Sequence, residues 1–456
     1  MSLFEPPFGP LNGIHYLILH HARPIQESSV FDALEALIPL YIQAYLLLSP
    51  GTTAPMIRIL RAALGIVGIM ALTNQFMSWR VVTPGANALN TTLGSLYVHT
   101  VLKYVWFAAA PGATDAFMRV GNRRKRSLPF AALDLCLNSR YSAISARDEA
   151  DDVKDDTRRH RSRRRSPPVK PSFPLVLSTA SRAPEALRYL LLGFGQIFVA
   201  GALLAIVRTA GPSTLGNPNP ARSKLATFLG TTGFELIPGV IDPCDIGEKR
   251  IVLPPVVIEV LITVALGAAP YLTMSGLYSL AAGAAVGSGL WESECWQPDL
   301  FNSPWKADSL LDFWRRWHAL NKHDLRSLTT IALKTAELPL TPFLTIPLSF
   351  VISGILHIVY QLGMNPVPSA TKVGGFFGLC AAGTLAEYTF YRITGSRVRG
   401  PVGRLWAWGF LYVAARYCIL DAWVDAGVAT IRLAEDRWAD ALAAWMLQYV
   451  LVPYSR

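Results

Sequence analysis

Two histidines and the residues around them carry the types and spacing that could do chemistry. His357 lies inside the run from Phe343 to Leu362, which holds no charged residue and is long enough to cross a bilayer. An ionisable side chain at that depth is costly unless something uses it, so it is a functional lead by default. A neutral imidazole there could accept a proton in catalysis or pass protons along a path. The second histidine, His318, ends the string Ser309-Leu310-Leu311-Asp312-Phe313-Trp314-Arg315-Arg316-Trp317-His318, a mixture of aromatics and cations typical of a membrane surface. The pair is read as one site.

These side chains need elements to position them. Thr341, Thr345, Ser349, Ser353, His357 and Gln361 recur every fourth residue, so neighbouring members share nearly one side of a helix. A four-residue step drifts by about 40° per repeat against a 3.6-residue turn, so only the middle members, Ser349, Ser353 and His357, can line one cavity together. Gly354 permits close approach by a neighbouring helix or ligand. The alternative for the hydroxyls is a bond back to their own helix's carbonyls.

Upstream, Ser309 and Asp312 have the spacing of a capping box, which predicts a helix start. Leu310, Trp314 and Trp317 then fall on one face, with Asp312, Arg315 and Arg316 on the other, so the helix is expected in the headgroup region with His318 at the water boundary. Arg315 and Arg316, near Lys322 and Arg326, could meet a polyanionic ligand from the aqueous side or, more blandly, lipid phosphates.

The rest of the chain sets the class. Of 456 residues 52% are hydrophobic and 16% charged, and mean hydropathy is positive, more apolar than a soluble surface tolerates. An all-α, polytopic transmembrane bundle follows. Apolar windows near 31–49, 54–74, 92–110, 187–207, 252–272, 273–290, 343–362, 373–391, 403–420 and 436–453 predict about eight to ten crossings. The first residues lack a basic region and a cleavage site, so the amino terminus is expected to stay on the protein.

Three parts are expected: N-terminal transmembrane helices over 1–118, a basic and largely disordered cytosolic loop over 119–185, and a transmembrane core over 186–456. The loop holds Arg123-Arg124-Lys125-Arg126 and a second basic run, Arg158 to Arg165, and contributes much of the net charge of +11. Without interleaved aromatics, and set between spans, it reads as a topological signal that stays cytosolic rather than as a nucleic-acid surface. Cys136, Cys244, Cys295, Cys380 and Cys418 are scattered, with no spacing that points to a disulfide framework or a metal site.

Trp296-Gln297-Pro298, Phe301, Pro304, the string from Ser309 to His318, and Ser353-Gly354-Ile355-Leu356-His357 together resemble the membrane-bound O-acyltransferase superfamily, most closely its wax synthase-like branch, which includes fungal acyltransferases of secondary metabolism. Trp314 runs directly into Arg315, where that branch commonly has a glycine between the tryptophan and the arginine pair. A weaker similarity is the leucine-rich segment Leu133 to Arg140.

The resemblance implies a helical bundle around a reaction chamber, with no bound cofactor and acyl-CoA as co-substrate. It implies His357 and His318 as the catalytic pair; substrate binding is expected at Trp314, Arg315, Arg316 and Trp317 and, from the helical spacing, at Ser349 and Ser353. Acetyl transfer from acetyl-CoA to a hydroxyl of a hydrophobic terpenoid or polyketide is the favoured activity, with a long-chain wax synthase as alternative. The implied partners are the acyl-CoA, the alcohol and the lipid bilayer, and the implied location is the endoplasmic reticulum. Outside the enzyme class, a proton-coupled transporter would also use His357, and a membrane scaffold would use the loop.

Overall fold

The structure is a computed structural model and describes residues 23–24, 30–49, 51–80, 87–110, 128–137, 182–210, 255–289, 291, 293–296, 300–317, 322–364 and 367–426. His318, most of the basic loop and the expected window at 436–453 lie outside them.

The described residues are helical or in connecting turns, apart from a two-residue parallel pairing of Arg23–Pro24 (β1) with Trp79–Arg80 (β2). Four helices come first: α1 (Val30–Leu48), α2 (Pro55–Ser78), α3 (Asn87–Ala109) and α4 (Leu128–Leu137). Then follow α5 (Arg182–Ala210) and α6 (Pro255–Gly287), which pack along each other. After two short 3-10 turns come α7 (Leu310–Trp317), α8 (Lys322–Thr335), α9 (Pro342–Gln361), α10 (Ala370–Thr394), α11 (Gly400–Ala414), a π-turn at Ala415–Ile419, and α12 (Leu420–Asp425).

Among the described residues four helices are long and apolar enough to cross a membrane: α2, α5 over Arg182–Ala205, α6 over Val260–Gly287, and α9. The expected eight to ten crossings cover the whole chain, including the window 436–453 outside the described residues; among the described residues the window 31–49 holds only a shorter apolar helix, Leu34–Leu48. The windows 252–272 and 273–290 meet in one continuous helix, because Pro270 removes a single backbone donor without breaking α6. Others carry polar residues inside the helix, such as Asn90, His99 and Lys103 in α3 and Lys372, Glu387 and Arg392 in α10. Residues 128–137, placed in the basic loop by composition, form α4; their sequence LPFAALDLCL is itself apolar, and Ala132 and Leu135 are buried.

Two larger hydrophobic clusters, with a smaller one between α5 and α6, organise the described helices. One, around Leu40, Ala44, Tyr104, Phe107 and Leu135, holds α1, α3 and α4 together. The other joins α5, α6, α7, α9, α10 and α11 through residues such as Leu266, Leu310, Trp314, Phe350, Phe376 and Leu411. The helix ends of the second group show why the chain folds there. Pro342 opens α9 at a position where a missing N–H costs nothing, and the Ser369 side chain accepts from the amide of Lys372 at the start of α10.

Candidate active site

The Ser309 half of the expected capping box forms: the amide of Asp312 donates to Ser309 Oγ at 3.0 Å, while the Asp312 carboxylate accepts from Arg316. The helix it starts, α7, buries Leu310, Phe313 and Trp314, half-buries Trp317 and leaves Arg315 exposed. The face is the one the spacing foretold, but what covers it is not a headgroup layer. Trp314 sits in the main core with its ring 5.3 Å from Phe350 of α9 and 6.2 Å from Phe376 of α10. Periodicity identifies an apolar face but not its neighbour, and here the neighbour is protein.

Below Trp314 the packing leads to the second motif. Phe376 meets Phe377 at 5.2 Å between centroids, and Phe377 lies 4.5 Å from the imidazole of His357. The two motifs are therefore joined through rings of the first half of α10. Trp317, at the other end of α7, stacks on Phe313 at 5.4 Å and packs against Phe301 at 4.7 Å and Tyr271 at 6.1 Å.

His357 is half-buried on α9, facing α10 and α3. Its Nδ1 lies 2.7 Å from the carbonyl oxygen of Ser353, one turn back. A carbonyl can only accept, so Nδ1 carries the proton and the lone pair is on Nε2, the tautomer a general base needs. Gly354 lets Phe377 press in beside this turn, since a Cβ there would come within 3.3 Å of Phe377 Cβ. On the other side, Tyr360 lies 5.1 Å from His357 and 6.1 Å from His99 of α3. Gly94, five residues before His99 in α3, allows that approach, because a Cβ there would overlap the carbonyl of Tyr360.

The remaining residues divide. Ser353 is buried and supplies, through its backbone, the partner of His357. Ser349 turns elsewhere: its hydroxyl donates to the carbonyl of Thr345 at 2.7 Å and pairs with Thr329 of α8 at 3.0 Å. The two arginines differ as well. Arg316 Nε donates to Asp312 at 2.8 Å, its Nη1 donates to the carbonyl of Asn302 at 3.2 Å, and its own carbonyl accepts from the amide of Asn302 at 3.0 Å. Arg315 is exposed.

Two residues of this region went unnoticed in the sequence. His99 lies in a window read only as a span, and nothing local links it to Tyr360, far along the chain. Glu387, in the window 373–391, accepts from the amides of Leu310 and Leu311 at 2.7 and 3.0 Å and from Trp406 Nε1 at 2.9 Å. A carboxylate in an otherwise apolar window was the available signal.

Residues 296–379 match the model of the Membrane bound O-acyl transferase family. The matched stretch runs from Trp296 through α7, α8 and α9 into α10 and stops just beyond Phe377, so it contains both motifs and the rings that join them. It supports an acyltransferase in an integral membrane protein, with an acyl donor and a lipid acceptor. No curated protein matches the chain.

Proposed function

We propose that this protein is an O-acyltransferase that moves an acetyl group from acetyl-CoA to a hydroxyl of a hydrophobic secondary metabolite, a terpenoid or polyketide, in the endoplasmic reticulum membrane. The observation that carries this reading is the imidazole of His357, oriented by the Ser353 carbonyl within the family match so that Nε2 carries the lone pair of a base.

In the proposed step Nε2 takes the proton of the alcohol as its oxygen bonds to the thioester carbonyl carbon. The carbon–sulfur bond then breaks, the coenzyme A thiolate leaves, and the proton on His357 passes to it. No acyl-enzyme is invoked, because no serine or cysteine sits in an activated-nucleophile motif. The aromatic surroundings limit water that would hydrolyse the thioester. His318, directly after α7, is assigned to stabilise charge on the carbonyl oxygen or orient the donor. Arg315 is the cation for the coenzyme A phosphates, since the Arg316 guanidinium is engaged by Asp312 and Asn302.

The test is a panel of hydroxylated terpenoids, polyketides and long-chain alcohols incubated with membranes and either labelled acetyl-CoA or palmitoyl-CoA, products being read by mass spectrometry. Acetylated product that disappears with His357→Ala supports the reading. Long-chain esters alone would make the enzyme a wax synthase, and full activity of His357→Ala would remove the base.

A further inference from the structure

The first turn of α7 is held from a distance. Its leading amides have no partner within the helix, as at any helix start. Ser309 satisfies one, that of Asp312. The other two, on Leu310 and Leu311, donate to the two carboxylate oxygens of Glu387, which lies 77 and 76 residues further along the chain in α10. The indole N–H of Trp406 in α11 also donates to Oε1. The carboxylate is buried, it faces the positive end of a helix dipole, and three N–H groups from two other segments converge on it.

Nearby contacts hold the same junction. The amide of Gly400 donates to Asp308 Oδ2 at 3.3 Å, which ties the residue before Ser309 to the start of α11. At the far end of α7, Arg316 is tied to Asp312 and Asn302. The helix is therefore fixed at both ends, and Arg315 is the cation it leaves facing outward.

We propose that Glu387 is a positioning residue for acyl-donor binding: by gripping the first turn of α7 it sets where Arg315 meets the phosphates of the donor. This rests on the acyltransferase reading above. Glu387 lies beyond the matched stretch 296–379, so the match itself does not assign it a role.

Glu387→Gln is the informative variant. It keeps the size and one acceptor oxygen but sets an amide NH2 against one of the α7 amides, which loses a charge-assisted hydrogen bond and should preserve the fold. Two measurements on the purified full-length protein are required. In hydrogen exchange, the amides of residues 310 and 311 are expected to exchange at least about tenfold faster in Glu387→Gln than in the wild type. In steady-state transfer, KM for acetyl-CoA is expected to rise about five- to tenfold while kcat at saturating donor is kept.

A double-mutant cycle separates positioning from general support. If Glu387 acts through Arg315, adding Glu387→Gln to Arg315→Ala raises the donor KM little further. Additive effects, an unchanged KM, a fall in kcat alone, or unaltered exchange at 310 and 311 would each overturn the proposal. Glu387→Ala, which risks misfolding, is not needed. A wild-type protein without acyl transfer would remove the functional reading, and the exchange measurement would then decide the anchoring by itself.

Discussion

Arg61 in α2 and Glu387 in α10 are both charged, both buried, and both consumed by the end of another helix, but in opposite senses. The guanidinium of Arg61 donates to the carbonyls of Phe107 and Ala110, each at 2.8 Å, at the carboxyl end of α3. Lys103 does the same for the carbonyls of Leu135 and Cys136 at the end of α4. Glu387 instead accepts from the amino end of α7. Cations at carboxyl ends and carboxylates at amino ends are what the helix dipole favours, and each neutralises backbone groups that lipid could not.

The difference lies in what the anchored helix carries. In the amino-terminal region the anchored ends lock α1 to α4 around Tyr104, whose hydroxyl donates to the carbonyl of Ala36, and Gln43, which donates to the carbonyls of Arg61 and Tyr104. In the carboxyl-terminal region the anchored helix carries Trp314 and the arginine pair and runs beside the rings that reach His357. One region uses buried charge to build a scaffold, the other to aim a motif.

The largest expected effect tests the second half of that contrast. His357→Ala should lower acetyl transfer by about 10² to 10⁴-fold with an unchanged thermal midpoint, read by labelled product and by melting in detergent. A drop in melting temperature with activity kept would reverse its role. Arg61→Leu should do the opposite: with two carbonyls left without donors, stability should fall by about 2 to 4 kcal/mol, while kcat per folded molecule stays at the wild-type value. Loss of kcat without loss of stability would blur the division between scaffold and site.

Ser309→Ala removes one of the α7 caps and should cost about 1 kcal/mol in chemical denaturation, with a smaller rise in donor KM than Glu387→Gln gives. Asp312→Asn weakens only the partly exposed pair with Arg316, so no more than about 0.5 kcal/mol is expected, and less at high salt.

Local chemistry made part of this legible. The Ser309 cap, the apolar face of α7 and the helix carrying the row from Thr341 to Gln361 depend on spacings of three or four residues, and those forms are present. The bond of Ser349 to the Thr345 carbonyl is the bland alternative for a hydroxyl on such a row. What escaped depends on distant partners. Glu387 reaches α7 across 77 residues, and His99 meets Tyr360 only because α3 packs on α9 through Gly94. Likewise, an aromatic and basic string reads as interfacial until the protein covering its apolar side is known, and for Trp314 that cover is Phe350 and Phe376.

The partner that orients His357 is main chain. Replacing Ser353 by any other residue changes bulk and polarity at that turn, yet every replacement still presents a peptide oxygen to Nδ1. A saturation library at position 353 would therefore sample the shape of the neighbourhood while the location of the ring proton stays fixed, an arrangement tolerant of drift in the side chain and sensitive only to bending of the helix that carries it.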